Sequence, residues 1–261
     1  MNKISVIIPC FNSEKTIENA IQSVINQTLP PDEIICINDC SNDKTSSIIN
    51  ALQKSSLKIK IKLYENKTNL GPSISRNIGI SEANGKWIAF IDADDEWHPQ
   101  KLEVQISALT KHSLDFIGGS FSYNKYTATI SSCHVKEISF RDLLYKNYFP
   151  TPSVVLSKDI SLNFDPTMRY AEDYSAWLEL AKQGIKMGYI STPLIFLNKP
   201  SYGHSGLSAN LLLMQKGELL ALRKALGTKN ITSIFFQFFS LLKFTRRIVI
   251  VYFRGFLKPY S

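Results

Sequence analysis

Three carboxylates lie within four residues, at Asp92, Asp94 and Asp95, directly after the apolar run at residues 87–91. The run has the length and the aromatic and β-branched content of a buried strand. Crowded carboxylates repel one another, and a divalent cation such as Mg²⁺ or Mn²⁺ commonly neutralises them, often together with substrate phosphates. A single Asp-x-Asp after a strand is more often a solvated turn, so a metal site needs support from elsewhere in the chain.

Other acidic side chains lie at the ends of other predicted elements. Asp39 follows the second predicted strand, and Glu172 and Asp173 open a predicted helix. Because the carboxyl ends of parallel strands meet at one edge of a sheet, these distant carboxylates are expected to converge there. Convergent acids suit a metal, a hydroxyl-binding pocket or a general base.

Two basic side chains are candidate partners for this acidic region. Arg76, near the start of its predicted helix, has a planar guanidinium that fits phosphate oxygens or a base edge, and an ion pair with one of the acids is the alternative. His204 lies in the Gly- and Ser-rich stretch 201–208. Such a histidine is either structural or part of a loop that closes over a diphosphate.

Strands and helices alternate in the first half of the chain. Buried strands are predicted at residues 3–8, 33–37 and 86–91, and a strand with one solvated face at 57–64. Helices are predicted after Asn12 or Ser13 as N-cap and at 45–53, 73–83 and 99–111. This order predicts a doubly wound α/β sheet with flanking helices.

The second half is less regular. The pattern predicts strands at 115–122 and 151–156, a hairpin near 127–138, and a short helix at 140–146. A further helix opens at 170–174 and ends at Gly184, which is expected to take a left-handed conformation.

Bulk properties indicate an ordinary globular protein with an unusual C-terminal stretch. The chain has 261 residues, is 44% hydrophobic, and has four cysteines at 10, 36, 40 and 133 without zinc-site spacing. We expect reduced thiols and a cytoplasmic location, and the apolar run at the N-terminus is too short for a signal peptide. Of the net charge of +8, residues 199–261 carry +9 and the rest carries −1.

Residues 231–256 are rich in Phe, Ile, Leu and Val but contain no uncharged run of the ~20 residues that a spanning helix needs. On a helix, five cations fall within roughly 120° of arc: Lys243, Arg246, Arg247, Arg254 and Lys258. This pattern favours an amphipathic helix on an anionic membrane surface over a helix that packs back on the domain. We therefore divide the chain into 1–227, with halves 1–112 and 113–227, and a membrane-associating tail, 228–261.

In combination, five segments resemble family 2 glycosyltransferases of the GT-A fold, across about residues 3–208. This resemblance implies a Rossmann-like mixed central sheet with flanking helices. The segments that carry the resemblance are ISVIIPCFN at 4–12, INDCSNDKT at 37–45, NLGPSISRNIG at 69–79, FIDADD at 90–95, and Glu172-Asp173. Two departures are Asn38, where relatives often have a second Asp, and Ser75, where Ala is common.

The resemblance implies a role for each matching position. The nucleotide and donor sugar would be bound by residues of the first half: Pro9, Phe11, Asn12, Asp39, Arg76 and Asp92. Asp94 and His204 would bind a divalent metal, Mn²⁺ or Mg²⁺. Asp173 would be the general base, with Glu172 beside it.

The resemblance also implies a reaction. The protein would move a sugar, with inversion, from a nucleotide diphosphate sugar, UDP-hexose or UDP-N-acetylhexosamine, to a hydroxyl of a lipid-linked cell-surface glycan. It would be peripheral on the inner face of the plasma membrane and would have no nucleic-acid partners. The resemblance does not determine its oligomeric state.

Other functions fit the residues less well. A sugar nucleotidyltransferase would need a Gly-rich phosphate loop after the first strand, and residues 9–12 contain no glycine. A processive polysaccharide synthase would need spanning helices and a Gln-x-x-Arg-Trp motif, whereas tryptophan occurs only at 87, 97 and 177. An EF-hand is excluded because Trp97 stands where the loop needs glycine. A non-catalytic nucleotide-sugar or metal-binding protein stays open.

Overall fold

The computed structural model describes residues 3–56, 58–198, 209–228 and 230–256, with side chains described through residue 252. Within these ranges, nine strands form one sheet: β1 Ile4–Cys10, β2 Glu33–Asn38, β3 Lys60–Glu65, β4 Trp87–Phe90, β5 Asp95–Trp97, β6 Phe116–Ser122, β7 Val135–Ile138, β8 Val155–Ser157 and β9 Met187–Leu197.

Helices connect and cover these strands. Those of the described residues are α1 Ile17–Ile25, α2 Thr45–Ser55, α3 Pro72–Glu82, α4 Lys101–Lys111, α5 Phe140–Tyr145, α6 Glu172–Lys182, α7 Leu211–Leu226 and α8 Ile231–Phe256.

The sheet is mixed, with the strand order β3-β2-β1-β4-β8-β6-β9-β5 and with β7 paired to β9. Strands β1 to β4 are parallel, which follows from the helical crossover between each successive pair. Strand β8 is antiparallel to both β4 and β6. The predicted mixed α/β sheet with flanking helices is confirmed, and the parallel half brings the carboxyl ends of β1, β2 and β4 to one edge.

Two apolar clusters cover the two faces of the sheet. In β1, Val6 and Ile8 belong to one cluster, with Ile21 of α1, whereas Ile7 belongs to the other, with Trp177 of α6. This division follows from the period of two in a strand, because successive side chains point to opposite faces. Burial on both faces holds the strand ends, and therefore the site at that edge, in fixed positions.

Helix α8 packs against α7 and α5 on the second half of the domain. Its inner face buries Ser233, Phe236 and Ser240. Two of its cations, Lys243 and Arg247, lie 2.9 and 2.8 Å from carboxylate oxygens of the buried Glu218 on α7. These two cations therefore face the domain, unlike in the predicted arrangement. Among the described helices, α8 included, none is long and apolar enough to cross a bilayer.

Three local predictions differ from the structure. The hairpin predicted at 127–138 is wrong: residues 127–134 form no regular element, and Val135–Ile138 pairs with the distant strand β9. The strand predicted at 151–156 begins as a 3₁₀ turn at Thr151–Ser153, since Pro150 and Pro152 have no N–H for a ladder. The first helix begins at Ile17 and has no side-chain cap, so neither Asn12 nor Ser13 caps it. Asn12 Oδ1 instead accepts the N–H of Asn42, and Ser13 Oγ donates to the carbonyl of Phe11.

Strands β5 and β9 and helix α7 were not predicted. The sequences of the two strands are short, mixed in polarity or interrupted by Pro193, and both strands are formed by partners that are distant in the chain. In contrast, Gly184 has a φ of +86°, as expected for the left-handed end of α6.

Candidate active site

An open cleft of about 870 Å³ lies at the carboxyl edge of the parallel strands. Every predicted site residue within the described ranges lines it: Pro9, Phe11, Asn12, Asp39, Arg76, Asp92, Asp94, Glu172 and Asp173. His204 lies outside the described residues. The cleft therefore brings together side chains that are up to 164 positions apart in the sequence, as the strand-end argument requires.

One wall consists of two loops that are bonded to each other. The N–H of Asn12 donates to Ser41 Oγ at 2.9 Å, and the N–H of Asn42 donates to Asn12 Oδ1 at 2.9 Å. The N–H of Ser13 donates to Thr45 Oγ1 at 2.8 Å. Beside these bonds, the Phe11 ring is 47% exposed. An exposed aromatic ring on a braced loop offers a stacking surface for a planar base.

Asp39 accepts three hydrogen bonds with its carboxylate, as does Asp43 on the same wall. Its Oδ1 accepts hydrogen bonds from Asn66 Nδ2 at 2.8 Å and the N–H of Leu70 at 2.9 Å, and its Oδ2 accepts one from the N–H of Gly71 at 2.7 Å. The residue is 4% exposed. A carboxylate has about four acceptor positions, so one remains for a ligand. Asp39 organises the loop before α3 in addition to lining the cleft.

Arg76 forms the ion pairs that the sequence offered as the alternative to a nucleotide contact. Its guanidinium is 2.8 Å from Glu172 Oε1 and 3.0 Å from Asp92 Oδ1. Burial opposes its charge, but Asp92 and Glu172 outweigh this effect and raise the pKa of Arg76. The guanidinium therefore links the acids of β4 and α6 and neutralises part of their charge. Its predicted contact with a nucleotide stays a prediction.

Asp94 is half-buried and lines the same cleft as Asp92. Its backbone carbonyl accepts a hydrogen bond from Asn198 Nδ2 at 2.7 Å, which connects the acidic segment to the end of β9. In the described part of the chain, no three His, Cys, Asp or Glu side chains are grouped closely enough to hold a metal by themselves. Mg²⁺ is commonly bound by one or two carboxylates together with substrate phosphates and water. Asp94 therefore fits a shared site better than a metal site made only of protein.

Asp173 lies in the first turn of α6, in the wall of the cleft that the second half of the chain forms. Its Oδ1 accepts the N–H of Tyr174 at 2.6 Å, and its Oδ2 is 3.4 Å from both Asn147 Nδ2 and Thr151 Oγ1. Burial first, and then the neighbouring Glu172, raise the pKa of Asp173 to about 7 against the opposing effect of Arg76. A carboxylate with this pKa can accept a proton at neutral pH.

Sequence reasoning missed several residues of the cleft. Thr151, Arg169, Tyr170 and Met214 line it on the side of Asp173, and Lys15 lines it beside Phe11. Thr151 begins a 3₁₀ turn where the sequence predicted a strand, Arg169 lies in an irregular segment, and Met214 lies on a helix that was not predicted. Only a general signal, polar residues close to a Pro-rich turn, marked the region around Thr151.

The chain matches a known family over its first half and beyond. The model of glycosyl transferase family 2 matches residues 5–162. The chain is a member of that family. It is 30% identical over 185 residues to a putative teichuronic acid biosynthesis glycosyltransferase, TuaG, of Bacillus subtilis, covering 69% of this chain and 73% of that relative.

A second relative, from Escherichia coli, is the UDP-Glc:alpha-D-GlcNAc-diphosphoundecaprenol beta-1,3-glucosyltransferase WfgD. The identity to this glycosyltransferase is 31% over 192 residues, covering 72% of this chain and 74% of that relative. The predicted family and the predicted class of enzyme, a glycosyltransferase, are confirmed.

Solved structures confirm the GT-A fold. Residues 1–349 of S. aureus TarS, in complex with UDP-GlcNAc, align with a TM-score of 0.68 at 19% identity, covering 90% of this chain and 70% of that chain. The mannosyltransferase PcManGT of Pyrobaculum calidifontis, in complex with GDP-Man and Mn²⁺, aligns with a TM-score of 0.67 at 15% identity, covering 92% of this chain and 73% of that chain.

Proposed function

We propose that this glycosyltransferase transfers a hexose or N-acetylhexosamine from a UDP-sugar, with inversion, to a hydroxyl of a lipid-linked glycan intermediate. The observation that carries the proposal is the half-buried Asp173, with a pKa of about 7, in one cleft with the loops of Phe11 and Asp39. This arrangement provides a base on one wall and a site for a nucleotide on the other.

The mechanism is a single displacement. Asp173 accepts the proton of the acceptor hydroxyl while the oxygen forms a bond to the anomeric carbon. The bond between that carbon and the diphosphate oxygen breaks on the opposite face, so the configuration inverts and a nucleoside diphosphate leaves. Base catalysis of this kind contributes about 10²–10⁴-fold. Asn147 and Thr151 hold the carboxylate, and the ion pairs of Arg76 hold Glu172 beside it.

The charge of the cleft supports a divalent cation. Among the described residues that line it, eight are carboxylates and three are cations, and one of these cations, Arg76, is already paired with two acids. A diphosphate would be repelled by this excess unless positive charge accompanied it. We assign Asp94 as the protein ligand of Mn²⁺ or Mg²⁺. The metal would neutralise charge that develops on the leaving diphosphate.

The donor and acceptor classes follow from the relatives. WfgD, by its name, uses UDP-Glc and an acceptor on diphosphoundecaprenol. TarS is solved with UDP-GlcNAc, whereas PcManGT is solved with GDP-Man. UDP is therefore the preferred nucleotide for this chain, and a lipid-linked diphosphate sugar is the preferred acceptor.

A lipid-linked acceptor suits a protein on the membrane surface, and α8 supports this location. Nine of its apolar side chains are exposed within about 140° of helix arc: Ile231, Ile234, Phe235, Phe238, Leu241, Leu242, Ile248, Val249 and Tyr252. An apolar surface of this size needs a partner. Helix α8 contains no acidic residue, and Arg246 is exposed beside the apolar face. An anionic bilayer on the cytoplasmic side, contacted by the apolar face, fits both features.

A donor panel tests the proposal. The full-length protein is incubated with UDP-Glc, UDP-GlcNAc or GDP-Man, each with Mn²⁺, Mg²⁺ or EDTA, and with a GlcNAc diphosphate on an undecaprenyl or shorter lipid. We expect metal-dependent transfer from a UDP-sugar and an inverted anomeric configuration by NMR. A product of retained configuration, or undiminished transfer in EDTA, would contradict the proposed mechanism.

A further inference from the structure

The turn at residues 149–154 lies between the two walls of the cleft. It carries Thr151, whose hydroxyl is 3.4 Å from Asp173 Oδ2, and it passes directly into β8. Within the turn, the N–H and the hydroxyl of Ser153 both donate to the carbonyl of Pro150, at 2.9 and 2.7 Å. The position of Thr151 therefore depends on whatever holds this turn.

Three buried side chains from other elements hold the turn by its carbonyls. Trp97 Nε1 donates to the carbonyl of Pro152 at 3.0 Å, and Gln105 Nε2 donates to that of Ser153 at 2.8 Å. Trp177 Nε1 donates to that of Phe149 at 2.9 Å. Both Trp97 and Gln105 are at most 3% exposed. Hydrogen bonds that are shielded from water in this way fix geometry more firmly than exposed ones.

Trp97 belongs to the same segment as Asp92 and Asp94. These acids lie in the wall of the cleft that is formed by the loops after β1, β2 and β4, which we call the donor wall. Strand β5 runs from Asp95 to Trp97, directly after Asp92 and Asp94. On the other side, Lys101 is fully buried with its Nζ 3.9 Å from the centre of the Trp97 ring, which confines the ring. The indole thus connects the acidic segment to the turn that supports the base, over a few covalent and hydrogen bonds.

We infer that Trp97 is a positioning residue for catalysis: its indole N–H holds the turn so that Thr151 meets Asp173. The inference rests on the proposed function, since it assumes that Asp173 is the base. Thr151 donates a hydrogen bond to the ionised carboxylate, so loss of the contact should raise the pKa of Asp173 further.

Trp97→Phe tests the inference, because it removes the N–H and keeps most of the ring. We expect kcat to fall by about 10- to 100-fold, as for misplaced catalytic groups, with an unchanged Kd for the donor. The acidic limb of the pH profile of kcat/KM should move to higher pH. Thr151→Val should move it in the same direction, and the double variant should be no worse than the worse single one, because both act on one contact.

Trp87→Phe is the matched control. Its indole N–H is buried and has no hydrogen-bond partner among the described residues, so kcat and the pH profile should stay as in the wild type. If Trp97→Phe also leaves both unchanged, or weakens donor binding with kcat intact, the inference is wrong. If Trp97→Phe does not fold, Gln105→Leu removes the neighbouring bond to the same turn and must show the same shift of the limb.

The two proposals fail in different ways. If Asp173→Asn retains turnover, the assignment of the base fails and the inference fails with it. If Asp173→Asn is inactive but Trp97→Phe matches Trp87→Phe, only the positioning role is wrong.

Discussion

The two walls of the cleft are built differently. On the donor wall, β1, β2 and β4 are each followed within two residues by a site residue, and the loops that follow are joined by backbone N–H groups to side chains of neighbouring loops. On the acceptor wall, Asp173 sits on α6, and its support comes from a 3₁₀ turn held by side chains from β5 and α4.

This difference predicts how each wall responds to change. Several hydrogen bonds between loops 27–32 residues apart hold the donor wall, so losing one should weaken ligand binding or the fold without moving the whole wall. A few long-range bonds hold the acceptor wall, so losing one should change the rate more than the affinity for the donor. Substitutions on each wall can break or sharpen this contrast.

The largest effect is expected at the acceptor wall. Asp173→Asn should reduce kcat by about 10²–10⁴-fold, because the proton of the attacking hydroxyl then has no acceptor. Donor Kd, measured by calorimetry, should change little. Asp159→Asn, an exposed aspartate of the same half, is the control. Equal losses in kcat and donor affinity would remove the contrast between the walls.

On the donor wall, Asp94→Ala should reduce metal-dependent transfer by about 100-fold or more, since a bound cation supplies several kcal/mol of charge stabilisation. Unlike Asp173→Asn, it should also weaken the donor in the presence of Mn²⁺. Thermal shift with and without metal measures this effect. A variant that is still stimulated by metal as strongly as the wild type would rule out Asp94 as a ligand.

The raised pKa of Asp173 predicts a dependence on pH. Below about 7, kcat/KM should fall by about tenfold per pH unit, since only the ionised carboxylate accepts a proton. The contribution of Asp173 to the free energy of unfolding should change with pH in the opposite direction. The pKa is higher in the folded than in the unfolded state, so this group favours folding at acidic pH, and the benefit is lost as the pH rises through about 7.

Asp173→Asn separates these two readouts. We expect its melting temperature to exceed that of the wild type at pH 8, where the wild type has a half-buried charge beside Glu172, by more than at pH 4. The acidic limb of any residual activity should disappear. A larger gain at pH 4 than at pH 8 would show that the pKa is not raised.

A smaller effect is expected at Asp39. Asp39→Asn replaces a carboxylate that accepts three N–H bonds with an amide that has only one acceptor oxygen. The free energy of unfolding should fall by about 1–3 kcal/mol, and donor affinity should fall while kcat at saturation stays close to that of the wild type. Urea denaturation and donor titration measure these changes. A main effect on kcat would place Asp39 among the residues that act in the chemical step.

The smallest effect is expected outside both walls, on α8. Phe238 is 60% exposed, and Phe238→Ser should lower the affinity for phosphatidylglycerol vesicles by about tenfold, as expected when one aromatic ring leaves an apolar phase. Leu70→Ser, which removes an exposed apolar side chain of the donor half, should not. Equal co-sedimentation of the two variants would contradict the membrane role of α8.

The sequence was sufficient for the donor wall because local patterns determine it. Each strand before Phe11, Asp39 and Asp92 is a continuous apolar run, and a parallel sheet needs no further information to bring their ends together. The family resemblance pointed to the same positions. Only the details, such as the ion pairs of Arg76, needed coordinates.

The acceptor wall could not be predicted in the same way. The bonds from Trp97 to Pro152 and from Gln105 to Ser153 span 55 and 48 residues, and no periodicity signals such pairs. The hairpin predicted at 127–138 was wrong for the same reason, since the partner of β7 is β9, which lies about 50 residues later. Hydrogen bonds between residues that are distant in the sequence leave no local pattern from which they could be predicted.

The contacts of Glu218 tie the C-terminal stretch to the folded domain, which its composition alone does not indicate. Burial opposes the charge of this carboxylate, but Lys243 and Arg247 reverse the effect and lower its pKa. Cutting the chain after Gly227 would remove both counter-ions and Ser240, which donates to the same carboxylate, and it would uncover the Tyr145 ring that contacts Phe236 and Phe239. The shortened protein would therefore be less stable, and not only released from the membrane. Residue 227 would not mark the end of the folding unit.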